Sequence, residues 1–288
     1  MVTSAPPSTS TATAAPAGRV EHRWRQSRGT ALLLVLSAPL LLFLALPLLA
    51  LIVRAAPVDL LANLFDPEVA QAIWLSMATT TSTLALTLVL GTPVAFLLAR
   101  RRFRGRAVLD TLIDLPIVLP PLVAGIALLL AFGRRGLLGQ HLSVLGLDIA
   151  FTQIAVVMAQ LFVAAPFFVK AATAGFANVD REIEYAAALD GASSFQVFRL
   201  ITMPLSSAAL LAGAIMTWAR ALGEFGATII FAGNFPGRTQ TMPLAIYLGF
   251  ELDLNRALTL SAILLLASFL VLFVVKVLLR QRLQVWGN

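Results

Sequence analysis

The chain has 288 residues, 59% hydrophobic and 12% charged, with a mean hydropathy of +0.90 and a formal net charge of +7. A soluble domain carries about 25% charged residues, so this chain cannot cover itself in polar surface and reads as a polytopic membrane protein. Cysteine is absent, which excludes disulfides, thiolate metal sites and cysteine nucleophiles, and the two histidines, His22 and His141, fall in a tail and a predicted loop.

Residues 1–18 are almost all Ser, Thr, Ala, Pro and Val, too poor in apolar bulk to fold, so residues 1–30 are expected to form a disordered tail. A first membrane helix is predicted over 31–53; it exceeds the 7–15 apolar residues of a signal-peptide core, so an uncleaved helix is expected, kinked at Pro39 and Pro47. Five further spans are predicted over 72–99, 112–132, 149–175, 205–232 and 257–279. Each reaches the ~20 residues that a ~30 Å hydrocarbon core demands, giving an all-α protein with six transmembrane helices. Between residues 176 and 204 lies a polar, amphipathic insert, and residues 281–288 form a short tail.

Arginine placement predicts the orientation. The N-terminal segment, the run Arg100, Arg101, Arg102, Arg104 and Arg106, the stretch from Lys170 to Arg199 and the stretch from Lys276 to Arg282 hold 15 Lys/Arg, against five (Arg54, Arg134, Arg135, Arg238 and Arg256) in the opposite loops. The positive-inside bias puts both termini and the insert in the cytoplasm. The charge excess is thus a topological signal with membrane lipid as its partner, and nucleic acid is not implied.

The insert contains Glu184-Tyr185-Ala186-Ala187-Ala188-Leu189-Asp190-Gly191 and, nine residues on, Ile201-Thr202-Met203-Pro204. Asp180, Glu182 and Glu184 suit the first turns of a helix, where the dipole favours acids. Gly191 can adopt the backbone conformation that ends it, Ser193 or Ser194 can cap a second helix, and Pro204 marks entry to the fifth span. This predicts a helix-turn-helix projecting from the membrane, with small alanines allowing close approach by a partner. The alternative is an ordinary interfacial loop.

The composition and spacing resemble the coupling motif of ABC importer permeases (EAA, three residues, Gly, nine residues, Ile-x-Leu-Pro). Two departures occur: Tyr185 stands at the usual Glu position, with Glu184 one place earlier, and Met203 replaces Leu. The resemblance implies a type I importer permease domain over residues 70–280, with a coupling segment at 178–204 in which Glu184, Ala187, Asp190, Gly191, Ile201 and Pro204 meet a separate ATPase dimer. No G-x-x-x-x-G-K-[ST] occurs, and Lys170 and Lys276 both follow valine, so ATP and Mg are expected on the partner, with no cofactor in this chain. It further implies a homodimer in a bacterial cell membrane.

Residues 218–247, LPPLVAG at 119–125 and FGRRGLLG at 132–139 look like the corresponding segments of molybdate permeases. Sulfate permeases share the Gly-Glu-Phe/Tyr-Gly and Ala-Gly-Asn elements; GRTQTMPLAIY at 237–247 leans towards molybdate. Tungstate fits the same chemistry. The resemblance implies an extracytoplasmic molybdate-binding protein, with Asn234, Arg238 and Gln240 as docking candidates unless they only shape a turn with Gly233, Pro236 and Gly237.

Arg220 and Glu224 lie within the fifth predicted span at i and i+4, so either a structural pair or a pathway or gate role is open. Thr79, Thr80 and Thr83 offer hydroxyl donors to a pathway, or serve helix packing. Asp110 is a candidate partner for the arginine run, and Pro116, Pro120 and Pro121 are expected to break or kink the third span. A secondary transporter would show inverted repeats with paired broken helices, and an intramembrane enzyme a His-based constellation; neither pattern is present.

Overall fold

The computed structural model describes residues 18–55 and 66–285. All regular structure among them is helical: α1 Gly18–Arg54, α2 Pro67–Arg100, α3 Arg106–Val118, α4 Pro121–Phe132, α5 Gly139–Val144, α6 Gln153–Ala177, α7 Arg181–Leu189, α8 Ser194–Leu205, α9 Ser207–Leu222, α10 Gly226–Phe231, α11 Met242–Leu252 and α12 Leu254–Val285. Among the described residues, four helices are long and apolar enough to cross a membrane, or up to six if each of two bent pairs counts as one span.

The first helix forms a unit of its own. It begins at Gly18, ahead of the expected start at residue 31. The segment from Arg19 to Arg28 is rich in Arg, Glu and Gln, all good helix formers, which lets the helix continue beyond its apolar part. The tail expected over 1–30 is therefore helical from residue 18, and its remainder lies outside the described residues.

The remaining helices pack around α2, α6 and α9. Asp66 starts α2 by accepting the Glu68 backbone N–H at 2.9 Å, with Pro67 in the first turn where no N–H is needed. Thirty-four residues make α2 about 50 Å long, well beyond a ~30 Å hydrocarbon core. Close crossings depend on missing side chains: a Cβ on Gly175 would lie 2.5 Å from Ala209 Cβ, and one on Gly213 2.8 Å from Ala171 Cβ. Small residues at helix crossings replace the hydrophobic driving force that lipid removes.

Two predicted spans are not single helices. The segment 112–132 is bent by 118° between α3 and α4, where Leu119-Pro120 interrupts the backbone ladder. The fifth span is broken at Gly223–Phe225 into α9 and the short α10, and α8 meets α9 at 72°. An eleven-residue apolar helix, α11, also occupies part of what the sequence presents as an outer loop. Asp110 pairs with Lys170 of α6 at 2.7 Å, joined by Asp114 at 2.8 Å, rather than with the arginine run. The two aspartates stand one helical turn apart on α3, so both reach the same ammonium.

Candidate functional site

The polar insert folds as a hairpin whose every turn has a local cause. Asp180 accepts the Glu182 N–H at 2.9 Å and opens α7. Gly191, at φ 92°, closes it: Gly191 N–H donates to the Ala188 carbonyl and Ala192 N–H to the Ala187 carbonyl, the pairing that satisfies the last carbonyls of a helix. Ser193 then caps α8, its hydroxyl accepting the Gln196 N–H at 3.3 Å while Gln196 Oε1 accepts the Ser193 N–H at 2.8 Å. Ahead of Pro204 the helix widens into a π turn over Phe198–Thr202. A proline ring would collide with the Leu200 carbonyl in a regular helix, and the wider turn makes room for it.

The base of this hairpin is fastened to α2. Arg100 Nη2 donates to Glu184 Oε1 at 2.8 Å and to the Val179 carbonyl at 2.9 Å, and Thr202 Oγ1 donates to the same Glu184 oxygen at 2.6 Å. The Arg100 and Glu184 side chains are only 8% and 15% exposed. One carboxylate therefore ties together the end of α2, the middle of α7 and the π turn. Phe96 packs edge to face on both Phe176 and Phe198, which are tilted against each other.

The tip is free. Leu189 is 89% exposed, and Tyr185, Phe195 and Leu200 also present apolar surface. Among the residues singled out from the sequence, Asp190, Gly191 and Pro204 are exposed, Ala187 and Ile201 are half-buried, and Glu184 turns inward to the latch. Sequence reasoning missed Arg100 and Thr202, which need tertiary contact to be recognised. It also missed Leu189, whose signal was one large apolar residue at the end of an alanine-rich, acidic helix.

Arg220 and Glu224 do pair: Arg220 Nη1 lies 2.6 Å from Glu224 Oε2. Glu224 is 1% exposed, and its other oxygen accepts the Ala227 N–H at 2.8 Å, satisfying a donor freed where α9 breaks from α10. The carboxylate thus serves the broken backbone, while the Arg220 side chain stays 30% exposed.

Thr79, Thr80 and Thr83 are buried in the protomer. Thr80 and Thr83 lie in the seam between α2 and α6. Thr83 donates to Gln160 Oε1 at 3.0 Å, Gln160 Nε2 donates to Thr80 Oγ1 at 3.5 Å, and Thr79 donates to the Leu75 carbonyl at 2.8 Å. Gln160, absent from the sequence reading, is the polar centre of that seam. In the segment after α10, Asn234 Nδ2 donates to the Leu244 carbonyl at 3.3 Å and Gln240 is buried, so Arg238 alone of the three docking candidates is an exposed side chain. Nearby, Arg256 pairs with Asp66, Glu68 and Asp253 at 2.8, 2.8 and 3.2 Å, fastening the start of α2 to α12. Among the described residues no cluster of His, Asp and Glu could hold a metal ion.

Broken apolar helices, a buried carboxylate paired with Arg220 and a braced polar hairpin with a bare tip fit an all-helical membrane permease. The chain belongs to the family of binding-protein-dependent transport system inner membrane components, whose match covers residues 91–285. It is 41% identical over 231 residues to the molybdenum transport system permease protein ModB of Mycobacterium tuberculosis, covering 80% of this chain and 88% of the relative. It is 36% identical over 251 residues to the probable transport system permease protein NifC of Clostridium pasteurianum, covering 86% and 87%. The sulfate transport system permease protein CysW of Escherichia coli is 38% identical over 226 residues, covering 78% and 77%. The fold matches a chain from the crystal structure of a bacterial ABC transporter that imports the acidic polysaccharide alginate, with TM-score 0.71 at 16% identity over 91% of this chain and 98% of that one. It also matches the inward-facing MetNI methionine ABC transporter, with TM-score 0.58 over 74% and 95%. The fold is that of a type I ABC importer permease.

Proposed function

We propose that this chain is the permease subunit of an ATP-driven molybdate importer, working as a homodimer. The observation that carries the coupling role is the hairpin, rigid at the Arg100–Glu184–Thr202 latch and bare at Leu189. An ATPase dimer, which would hold ATP and Mg, presses on Leu189, Asp190 and Gly191; Ala187, Ile201 and Pro204 keep the hairpin's shape, and Glu184 passes the motion to α2. Both termini and the hairpin face the cytoplasm, on the evidence of the arginine bias. An extracytoplasmic molybdate-binding protein docks on the opposite side, with Arg238 as a contact. The chain itself performs no covalent chemistry.

The substrate reading is supported by the molybdenum permease relatives. A tetrahedral dianion crossing an apolar bundle needs donors or water along its path. Arg220, held in place by Glu224 yet partly open, is the side chain proposed to meet it. Sulfate is the second reading, favoured by the likeness to CysW. Uptake of labelled molybdate into vesicles holding the permease and its motor decides between them. Inhibition by tungstate with little effect of equimolar sulfate is expected; sulfate displacing the label equally well would defeat the molybdate assignment.

A further inference from the structure

We propose that the cavity between the end of α2 and the coupling hairpin is a binding site for a tetrahedral oxyanion of the phosphate class, carried on a lipid headgroup or free in solution. The cavity measures about 370 Å³ and is lined by residues including Arg100, Arg101, Arg181, Glu184, Tyr185 and Ser194. One water needs only about 10–15 Å³ on this measure, so there is room for an oxyanion together with part of its hydration shell.

Its charge is unbalanced. Three arginines face one carboxylate, and Glu184 is already taken up by Arg100 and Thr202. Among the described residues Arg101 and Arg181 have no ion-pair partner, although both line the cavity. Arg100 is buried and already committed to Glu184 and the Val179 carbonyl, so the exposed Arg101 and Arg181 are the side chains left to meet a ligand. Like charges lining one cavity repel, and an anion held between them relieves that repulsion. The partner must be anionic, because guanidinium groups only donate. Tetrahedral oxyanions match them best, offering several strong acceptors to planar N–H forks. Tyr185 and Ser194, both hydroxyl-bearing, are also among the lining residues.

A ligand here would bridge α2, α7 and α8 around the Glu184 latch, so its occupancy would stiffen the hairpin that the motor presses. The inference does not depend on which substrate is transported. The test uses the full chain in nanodiscs and follows hydrogen–deuterium exchange of residues 181–202. In one arm inorganic phosphate is titrated into phosphatidylcholine nanodiscs; in the other, phosphatidylglycerol replaces part of the phosphatidylcholine.

Slowed exchange in the first arm assigns a soluble oxyanion; slowing in the second arm alone assigns a lipid headgroup. In either case the double variant R101Q/R181Q, which leaves the Arg100–Glu184 latch intact, should weaken the response by at least about tenfold, at ~1 kcal/mol per arginine. No slowing in either arm, or slowing unchanged in the double variant, overturns the site. Slowing that appears only when the ATPase is added also overturns it, because the cavity would then be a socket for the motor. Molybdate uptake is measured separately, so failure here leaves the transport reading untouched.

Discussion

Glu184 is the residue on which the hairpin's geometry turns. Its single oxygen Oε1 receives both Arg100 and Thr202, so truncation strands a guanidinium that is 8% exposed. Breaking a buried pair by removing one partner costs about 3–5 kcal/mol. Glu184→Ala should therefore speed exchange across residues 181–202 and lower ATP-driven uptake. Glu184→Gln, which keeps the acceptor oxygen, should do less. Equal behaviour of Glu184→Ala and wild type in the exchange experiment would remove the latch. The sequence drew attention to Glu184 through spacing alone; Arg100 was legible there only as a topology charge, because its partner lies 84 residues away.

A second residue-scale outcome concerns Arg220 and Glu224. Arg220→Ala leaves a carboxylate that is 1% exposed without its counter-ion, while Glu224→Ala also removes the acceptor for Ala227 N–H. If the pair acts mainly on structure, the double variant should retain more folded protein than Arg220→Ala, since it buries no unpaired charge. Thermal unfolding of the three variants in detergent reads this directly. Strictly additive losses would instead mean that the two side chains act separately.

At the scale of elements, the long, uninterrupted helices were legible from apolar run length. The broken ones were legible only where proline marked them. Pro120 and Pro121 signal the bend between α3 and α4, but nothing comparable marks Gly223–Phe225, where Glu224 makes the break tolerable by accepting a freed N–H. The helix α11 escaped notice because eleven residues fall short of a span. The two broken elements meet each other: a Cβ on Gly125 of α4 would lie 2.8 Å from the Ala227 carbonyl of α10, and one on Gly226 2.7 Å from Pro121 Cβ. Gly125→Val should therefore force these helices apart, at a cost of about 1–3 kcal/mol for overpacking, and lower the unfolding temperature. The effect should exceed that of Ser82→Val on the exposed side of α2. A Gly125→Val protein as stable as wild type would show that α4 and α10 do not pack this closely.

For the molecule as a whole, α2 acts as a rod pinned at both ends. Arg256 holds its start through Asp66 and Glu68, and Glu184 holds its finish through Arg100. At ~50 Å the rod exceeds the hydrocarbon core, so its two pins belong to opposite membrane faces. A push on the hairpin can then be felt at the far end without any covalent step. This requires the hairpin tip and the segment around Arg238 to lie on opposite sides, with the hairpin on the cytoplasmic one, as the arginine bias predicts. The absence of native cysteine makes the experiment clean. Asp190→Cys and Arg238→Cys each introduce one thiol at an exposed position. In whole cells an impermeant maleimide should label residue 238 and spare residue 190; in inside-out vesicles the pattern should reverse. Labelling of residue 190 in intact cells would put the hairpin outside, out of reach of any ATP-driven motor, and the coupling role would fall with it.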